Sequence, residues 1–371
     1  MKSTTRKAQT KTTRATAEGT TRYAARFAGG FEDDFYRPLD RDLRLSSIGI
    51  GTYLGECTDA DDARYRATIG RAIERGINLI DTAINYRCQR SERSVGHALA
   101  NALRSGRVAR DEIVLCTKGG YIPLDGSAPD DRFEYQRYVQ REYIDRRILT
   151  PDDIVAGGHS LAPAFLADQL RRSLANLRVH AVDVYYIHNP EQQLDAIAPS
   201  ELDARLRAAF ALLEEQCAAG RIGRYGCATW NGFRVSPEEH GHLSLARLVA
   251  LAQEVAGDSH HFRVVQLPVS LALAEAVRAP TQKMPGGERI PLLQAAAELG
   301  ISVVTSGTLL QGKLTAGLPE QIRDTLPGYD TDAQRAIAFV RALPVISSAL
   351  VGMKREEWVE ENLKGGAKKE L

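Results

Sequence analysis

The sequence lacks the features that mark several classes of protein. Its five cysteines are scattered, odd in number and contain no C-x-x-C pair, which argues against a disulfide framework and favours a reducing, cytoplasmic setting. No apolar run approaches the ~20 residues that span a bilayer, and the amino terminus has no apolar signal-peptide core. The histidine pairs at 240, 242 and at 260, 261 have no carboxylate or thiol at ligand spacing. We therefore expect no membrane span and no bound metal.

The chain also lacks a large net charge of either sign, since its formal net charge is +1 at pH 7. It carries 48 Lys and Arg residues against 47 Asp and Glu residues, so no overall field attracts nucleic acid or an anionic membrane. At 371 residues the chain could hold two or three domains of about 150 residues, but a single barrel often reaches ~250 residues. One large domain is therefore a plausible organisation.

The amino-terminal segment differs in composition from the rest. Residues 1–27 contain many Thr and Ser, seven basic residues and one acidic residue, with little apolar periodicity before Tyr23. This composition predicts a disordered basic tail, which we place at residues 1–30. A Ser/Thr-rich targeting peptide is the alternative. The remaining residues, 31–371, are predicted to form a single domain.

From about residue 35 the chain alternates short apolar runs with amphipathic stretches, a pattern typical of a parallel sheet with crossover helices. Eight runs are predicted to be strands, at 47–54, 78–81, 113–117, 182–187, 222–228, 264–268, 302–305 and 345–351. Eight stretches are predicted to be helices, at 62–75, 91–103, 161–177, 201–219, 245–255, 290–299, 331–342 and 355–363. This alternation predicts a (β/α)₈ TIM barrel.

Two loops are longer than the barrel pattern requires. Residues 119–160 form a long insertion after the third strand, and residues 307–330 follow the seventh. Loops of this length usually serve a site, so we expect the insertion to cover one. Its aromatic residues either line that site or only pack the insertion onto the barrel rim; they are Tyr121, Phe133, Tyr135, Tyr138 and Tyr143.

Four polar residues lie around the carboxyl ends of predicted strands. Asp81, Lys118 and His188 close or follow three separate apolar runs, and Tyr86 lies five residues beyond Asp81. The carboxyl ends of parallel strands meet at one mouth of a barrel, where barrel active sites are built. Each residue alone fits a cap, a rim charge or a surface aromatic, but together they predict one shared site.

These four residue types suit carbonyl reduction. Hydride delivered to a carbonyl carbon leaves negative charge on the oxygen, which must receive a proton or strong hydrogen bonds. Tyr86 is the candidate proton donor, and the Lys118 ammonium is expected to lower its pKa from about 10. A paired Asp81 carboxylate would keep the lysine charged, and His188 would orient the carbonyl.

Seven segments, in order, resemble motifs of the aldo-keto reductase family. They are GIGTYLG (49–55), NLIDTAINY (78–86), CTKGG (116–120), DVYYIHNPE (183–191), VVQLP (264–268), LLQGKL (309–314) and VGMKREEWVEEN (351–362). The resemblance implies a barrel that binds a nicotinamide cofactor without a Rossmann domain and reduces an aldehyde, ketone or sugar carbonyl. It also assigns the catalytic tetrad to Asp81, Tyr86, Lys118 and His188.

The resemblance further assigns residues to cofactor binding. They are Gly51, Thr52, Tyr53, Asp81, Thr229, Trp230, Gln266, Ser306, Gly307, Leu309, Gly312, Lys313, Gly352, Lys354, Arg355, Glu361 and Asn362. Gln266 matches the family's glutamine to the nicotinamide amide. Lys354 and Arg355 form a cationic pair beside a helix N-terminus, which suits a 2′-phosphate and favours NADPH over NADH. A solvated charge pair is the alternative.

Two family motifs are altered in this chain. Ala228-Thr229 replaces a Ser-Asn pair, and 306–309 replaces Tyr-Ser-Pro-Leu, which removes the aromatic expected to stack on nicotinamide. Trp230 or Asn231 is expected to take over part of this work. A cofactor-binding regulatory subunit with little turnover therefore remains open, as does a barrel aldolase in which Lys118 forms a Schiff base. An NADP-dependent oxidoreductase acting on a small carbonyl compound is the function we predict.

Overall fold

The computed structural model describes residues 13–155 and 157–368, and its centre is a closed parallel barrel. The eight strands are Ile48–Gly51, Leu79–Asp81, Val114–Gly119, Val182–His188, Ile222–Ala228, Phe262–Pro268, Ser302–Ser306 and Ile346–Gly352. Each strand pairs with its neighbours in chain order, and the eighth closes on the first, with Gly352 opposite Gly51. The predicted (β/α)₈ barrel is confirmed.

Eight helices surround the strands and bury one face each against them. They are Asp59–Glu74, Arg90–Arg104, Pro163–Leu177, Pro199–Ala218, Leu245–Ala256, Leu292–Glu298, Asp332–Arg341 and Glu356–Leu363. Several begin where the sequence supplies a cap; the side chain of Thr58, for example, accepts from the backbone N–H of Asp61. All sixteen predicted strands and helices are present, with ends that differ by a few residues.

An antiparallel hairpin and an amino-terminal helix cover the amino ends of the strands. The hairpin strands are Tyr36–Leu39 and Leu43–Ser46, and the helix is Ala17–Phe27. The prediction of a disordered tail up to residue 30 is therefore wrong for residues 17–27. Tyr23 is fully buried, and its hydroxyl donates to the carbonyl oxygens of Ile73 and Ile77 at 2.5 and 3.0 Å. Residues 1–12 of the predicted tail lie outside the described residues.

The composition of the segment did not predict this helix, because only a few of its residues make the contacts that hold the helix against the barrel. Thr16 caps the helix by accepting from the backbone N–H of Gly19. Arg22 and Arg26 both pair with Glu112, so two of the basic residues that suggested a solvated tail are tied to the barrel. Gly19 lies so close to Asp111 that an added Cβ would come within 2.2 Å of its carbonyl oxygen.

The insertion after the third strand is largely ordered. It contains a helix at Arg132–Val139, a π-helical turn at Gln140–Ile144 and a 3₁₀ turn at Pro151–Asp153. Ile122, Tyr143 and Leu149 form a small apolar cluster with Phe165 of the following helix. Tyr143 therefore packs the insertion onto the barrel, whereas Phe133 is 72% exposed.

Membrane-spanning helices are absent from the described part of the chain. No helix there is both long enough and apolar enough to cross a bilayer.

Candidate active site

A buried ion pair lies at the carboxyl ends of the second and third strands. Asp81 is the last residue of the second strand, and Lys118 is the penultimate residue of the third. The Lys118 ammonium donates to the Asp81 carboxylate and, at 2.9 Å, to the carbonyl oxygen of Thr82. Both side chains are almost completely buried. The sequence correctly placed these two charges together.

The environment holds Lys118 in its charged form. Burial opposes the charge, but the Asp81 carboxylate, together with smaller contributions from Tyr86 and Cys116, raises the pKa of Lys118. Burial also raises the pKa of Asp81, against the lowering effects of Lys118 and of a hydrogen bond from Gln266. Gln266 donates this bond from its side-chain amide at 2.9 Å. An amide that the sequence assigned to nicotinamide thus also fixes the Asp81 carboxylate.

Tyr86 lies beside the ion pair. The Lys118 nitrogen is 5.0 Å from the centre of the Tyr86 ring, and the His188 ring centre is 5.7 Å away. The predicted lowering of the Tyr86 pKa is wrong in its net direction. Burial of the phenol raises that pKa, and Lys118 only reduces the rise. The phenol therefore keeps its proton at neutral pH, as a proton donor must.

His188 completes the group at the end of the fourth strand. Burial is the main reason that its pKa lies well below the usual value, with the charges of Lys118 and His159 adding to the effect. The imidazole is therefore neutral near pH 7 and offers one N–H. Its Nδ1 atom has no hydrogen-bond partner among the described residues. A neutral donor beside Tyr86 is suited to holding a carbonyl oxygen.

A cleft of about 770 Å³ opens from Asp81 and Tyr86. Most residues assigned to cofactor binding line it: Gly51, Thr52, Tyr53, Asp81, Gln266, Ser306, Gly307, Leu309, Gly312, Gly352, Lys354, Glu361 and Asn362. The cleft extends from Asp81 and Tyr86 to Lys354 and the helix Glu356–Leu363, whose Trp358, Glu361 and Asn362 line it.

A second cavity, of about 540 Å³, adjoins the cleft. Tyr86 lines both cavities, and His188 faces only the second. Thr229, Trp230 and Lys313, which the sequence assigned to the cofactor, line this second cavity and not the first. The structure thus places Tyr86 where the cleft and the second cavity meet.

Arg355 does not line either cavity. Its guanidinium lies 5.4 Å from the ring centre of Trp358 and 3.7 Å from the Glu357 carboxylate. Lys354 does line the cleft, and its ammonium is 3.4 Å from Asp61. The predicted cationic pair is therefore divided, with one member in the cleft and the other on the surface.

Sequence reasoning missed several residues that line the cavities. Those of the cleft include Thr308, Gln311 and Trp358, and Asn85 belongs to the second cavity. Trp358 had a detectable signal, because it precedes Glu361 and Asn362 by three and four residues and so shares their helix face. The others lie on loops whose paths have no periodic signature.

Glu191 is another residue beside the second cavity that the sequence did not single out. One of its carboxylate oxygens accepts from the backbone N–H groups of Trp230, Asn231 and Gly232, at 2.8, 3.1 and 3.2 Å. Burial raises the pKa of Glu191, and these bonds oppose that shift. The carboxylate thus fixes the loop after the fifth strand, which carries Thr229 and Trp230 into the second cavity.

Comparison with known proteins agrees with this geometry. The model of the Aldo/keto reductase family matches residues 47–238, which is more than half of the chain. The chain belongs to the aldo/keto reductase family. It is therefore an oxidoreductase, and this family acts on carbonyl compounds.

Its relatives within the aldo/keto reductases are distant. It is 23% identical over 355 residues to the uncharacterized oxidoreductase YqkF of Bacillus subtilis (strain 168), covering 89% of this chain and 90% of that protein. It is 28% identical over 152 residues to the NADH-specific methylglyoxal reductase of Escherichia coli (strain K12), covering 40% of this chain and 39% of that protein.

Solved aldo/keto reductases share the fold. AKR11C1 from Bacillus halodurans, in its holo form, superposes with a TM-score of 0.57 at 21% identity, covering 89% of this chain and 90% of that one. An aldo/keto reductase from Klebsiella pneumoniae, in complex with NADP and acetate, gives a TM-score of 0.58 at 20% identity, covering 89% of each chain.

Proposed function

We propose that this aldo/keto reductase transfers hydride between NADP and an aldehyde, ketone or sugar carbonyl. The observation that supports this most directly is the position of Tyr86 beside the buried Lys118–Asp81 pair, where the cleft and the second cavity meet. The residues assigned as catalytic by sequence thus occupy one location, with room for a cofactor on one side and a substrate on the other.

The chemistry of the cleft fits an NADP molecule. Its walls include several glycines, which allow the close approach of a nucleotide backbone, and the cation Lys354 lies just before the helix Glu356–Leu363. When bound, NADPH would supply the hydride. Lys354 and the helix N-terminus would hold the 2′-phosphate. Arg355 lies outside the cleft, so it would not share in binding this phosphate. The NADP-bound Klebsiella structure supports the choice over NAD.

The residues of this chain would then act on the carbonyl oxygen. His188, neutral near pH 7, would donate a hydrogen bond that fixes the oxygen next to Tyr86. Tyr86 would give up its proton as negative charge develops there, and the nearby Lys118 ammonium would stabilise the resulting phenolate. In the oxidising direction Tyr86 would accept the proton.

The Schiff-base alternative is not favoured by the state of Lys118. A lysine must lose its proton to attack a carbonyl, whereas Asp81 and Thr82 hold the Lys118 ammonium and its pKa is raised. The regulatory-subunit alternative predicts tight NADPH binding with no turnover of any carbonyl tested.

The substitution Tyr86→Phe tests the proposal. It removes the proton but keeps the ring, so NADPH binding should remain nearly normal while kcat falls about a hundredfold or more. NADPH absorbance would be followed with a panel of aldehydes, ketones and aldoses, and NADPH binding by fluorescence titration. Tyr36→Phe, whose hydroxyl bonds to Gly76 at the other end of the barrel, is the matched control. Unchanged turnover in Tyr86→Phe would refute the assignment.

A further inference from the structure

Two free thiols are in contact beside the cofactor cleft. The sulfur atoms of Cys57 and Cys88 are 3.4 Å apart, although the residues are 31 positions apart in the chain. Cys57 is partly exposed, and Cys88 is only 7% exposed. Among the described residues this is the one pair of cysteine side chains close enough to interact directly.

Both cysteines lie on segments that build the site. Cys57 follows Leu54, Gly55 and Glu56, which form part of the cleft wall. Cys88 is two residues beyond Tyr86, in the turn that follows the second strand. A covalent bond between the two sulfurs would therefore join the rim of the cofactor cleft to the turn that carries the proton donor.

The turn around Cys88 is held in an unusual backbone conformation. Arg87, Cys88 and Gln89 all have positive φ, at 49°, 52° and 67°. Residues other than glycine rarely adopt this region, and it recurs where neighbouring structure imposes it at functional sites. The neighbouring structure here includes Gly126 of the insertion, whose N–H donates to the Cys88 carbonyl at 2.9 Å.

Polar contacts already fix the two segments against each other. The Arg87 guanidinium donates to the carbonyl oxygens of Glu56 and Thr58, at 2.8 and 3.4 Å. It also pairs with Asp62 at 2.6 Å. These contacts of Arg87 therefore hold the segments that carry the two sulfur atoms next to each other.

We propose that Cys57 and Cys88 are a site of reversible oxidation, forming a disulfide when the protein meets a peroxide, and that this disulfide weakens cofactor binding. In the first step the Cys57 thiol reacts with hydrogen peroxide to give a sulfenic acid and one water. In the second step the Cys88 sulfur attacks the Cys57 sulfur, forming the S–S bond. The sulfenic hydroxyl leaves with the Cys88 proton as a second water.

The order of these steps follows from exposure. Cys57 is the sulfur that a dissolved peroxide reaches first, since Cys88 is nearly buried. Burial and the hydrogen bond with Cys57 raise the pKa of Cys88 to about 12, which makes Cys88 the less reactive of the two thiols towards peroxide. Cys57 is therefore the attacked thiol, and Cys88 is the resolving one.

The effect on cofactor binding follows from geometry and rests on the proposed function. A disulfide needs its sulfurs about 2.05 Å apart, so the two sulfur atoms must approach each other by more than 1 Å from the contact distance of 3.4 Å, and the bond would tie the rim to the turn. The rim that carries Gly55 and Glu56 would then be fixed and less able to adjust around a nucleotide. The oxidised protein should bind NADPH about tenfold more weakly, because the bound arrangement is disfavoured.

The test uses the full-length protein in matched reduced and peroxide-treated samples. Free thiols are alkylated, and digestion with mass spectrometry identifies a peptide pair joined through residues 57 and 88, two hydrogens lighter than the reduced pair. NADPH binding is titrated by fluorescence in the same samples. We expect the cross-link to form and the NADPH affinity to fall in the peroxide-treated sample. Dithiothreitol should remove the cross-link and restore the affinity.

Three variants make the result specific. Cys57→Ser and Cys88→Ser should give no cross-link, and their NADPH Kd should not respond to peroxide. Cys217→Ser, which removes a partly exposed thiol elsewhere, should respond as the native protein does. Absence of the 57–88 cross-link, or a cross-linked protein with unchanged Kd, would overturn this inference. A reduced protein that binds no NADPH would instead overturn the cofactor assignment, since the cross-link is measured independently.

Discussion

Asp81 and Lys118 depend on each other, because each neutralises the charge that the other carries in the interior. Each is almost completely buried, and each is the other's main source of compensation. A buried pair of this kind contributes little net stability relative to apolar side chains, but the loss of one member leaves an uncompensated charge in a low-dielectric interior. The charged lysine that the proposed function needs beside Tyr86 is therefore also a constraint on the fold.

The substitution Lys118→Met should destabilise the protein by about 3–5 kcal/mol, because it leaves the Asp81 carboxylate buried and unpaired. Adding Asp81→Asn removes that charge and keeps an acceptor for Gln266, so the double variant should recover part of the loss. Urea unfolding at pH 7 measures both. A single variant as stable as the double one would show that the buried charge is not the cause.

At this scale the sequence could predict which residues meet but not how strongly the site is buried. Asp81, Lys118 and His188 were predictable because strand ends converge in a parallel barrel. The net pKa of Tyr86 was not, since it depends on the balance between burial and one nearby charge, and the sequence shows only the charge. Glu191 was missed for a related reason, because its partners are backbone N–H groups of a distant loop.

Among the secondary elements, the insertion has the most direct connection to the site. His159, near its end, donates from Nε2 to the carbonyl oxygen of His188 at 2.7 Å. Its Nδ1 accepts from the side-chain amide of Gln193, also at 2.7 Å. The insertion thus supports the strand end that carries His188, and under the proposed function His159 would be a positioning residue.

The insertion also supplies Tyr121 to the second cavity. The Tyr121 hydroxyl accepts from Asn189 and donates to Gln192, both at 3.1 Å. The length of the insertion was enough to predict that it serves a site, but not to separate Tyr121, which lines the cavity, from Tyr143, which packs in an apolar cluster. That separation depends on the path of an irregular chain, which periodicity does not encode.

His159 should make stability depend on acid pH. Burial lowers its pKa to about 4, against about 6.5 in an unfolded chain, so unfolding takes up a proton between these values. The contribution is therefore fully present above pH 6.5 and is lost as pH falls towards 4, by up to about 3 kcal/mol. His159→Gln cannot take up this proton, so urea unfolding between pH 7 and 4.5 should show a weaker loss of stability.

The same variant separates a positioning role from a purely structural one. If His159 fixes the His188 carbonyl, His159→Gln should lower kcat for carbonyl reduction more than it changes the NADPH Kd. His180→Gln, at an exposed position, is the matched control and should alter neither the pH dependence nor kcat. An acid dependence in His159→Gln equal to that of the native protein would contradict the assignment.

On the scale of the whole molecule, the two ends of the barrel differ in structure. The carboxyl ends of the strands carry the site, and the amino ends are covered by the hairpin and the helix Ala17–Phe27. Strand order and closure could be predicted because eight alternating units leave few ways to arrange a parallel sheet. The amino-terminal helix could not, because it is stabilised by one fully buried ring and by ion pairs of Arg22 and Arg26 with Asp111 and Glu112 rather than by an apolar stripe.

Tyr23 should be the main anchor of that helix. Its ring is fully buried against Phe27 and Tyr36, with ring centres 5.1 and 6.4 Å away, and its hydroxyl bonds to two carbonyl oxygens. Tyr23→Ala removes both the packing and the bonds, so the free energy of unfolding should fall by about 3–5 kcal/mol. Tyr23→Phe keeps the ring and should cost only about 1 kcal/mol.

Urea unfolding of the two variants distinguishes an anchored helix from an appended one. Phe133→Ala, at a site that is 72% exposed on the insertion, is the matched control and should change stability by no more than about 0.5 kcal/mol. Because Tyr23 lies at the end of the barrel opposite the cleft, the folded Tyr23→Ala protein should retain the NADPH Kd of the native protein. A Tyr23→Ala protein as stable as Phe133→Ala would mean that the helix is only appended to the barrel and contributes nothing to the stability of the fold.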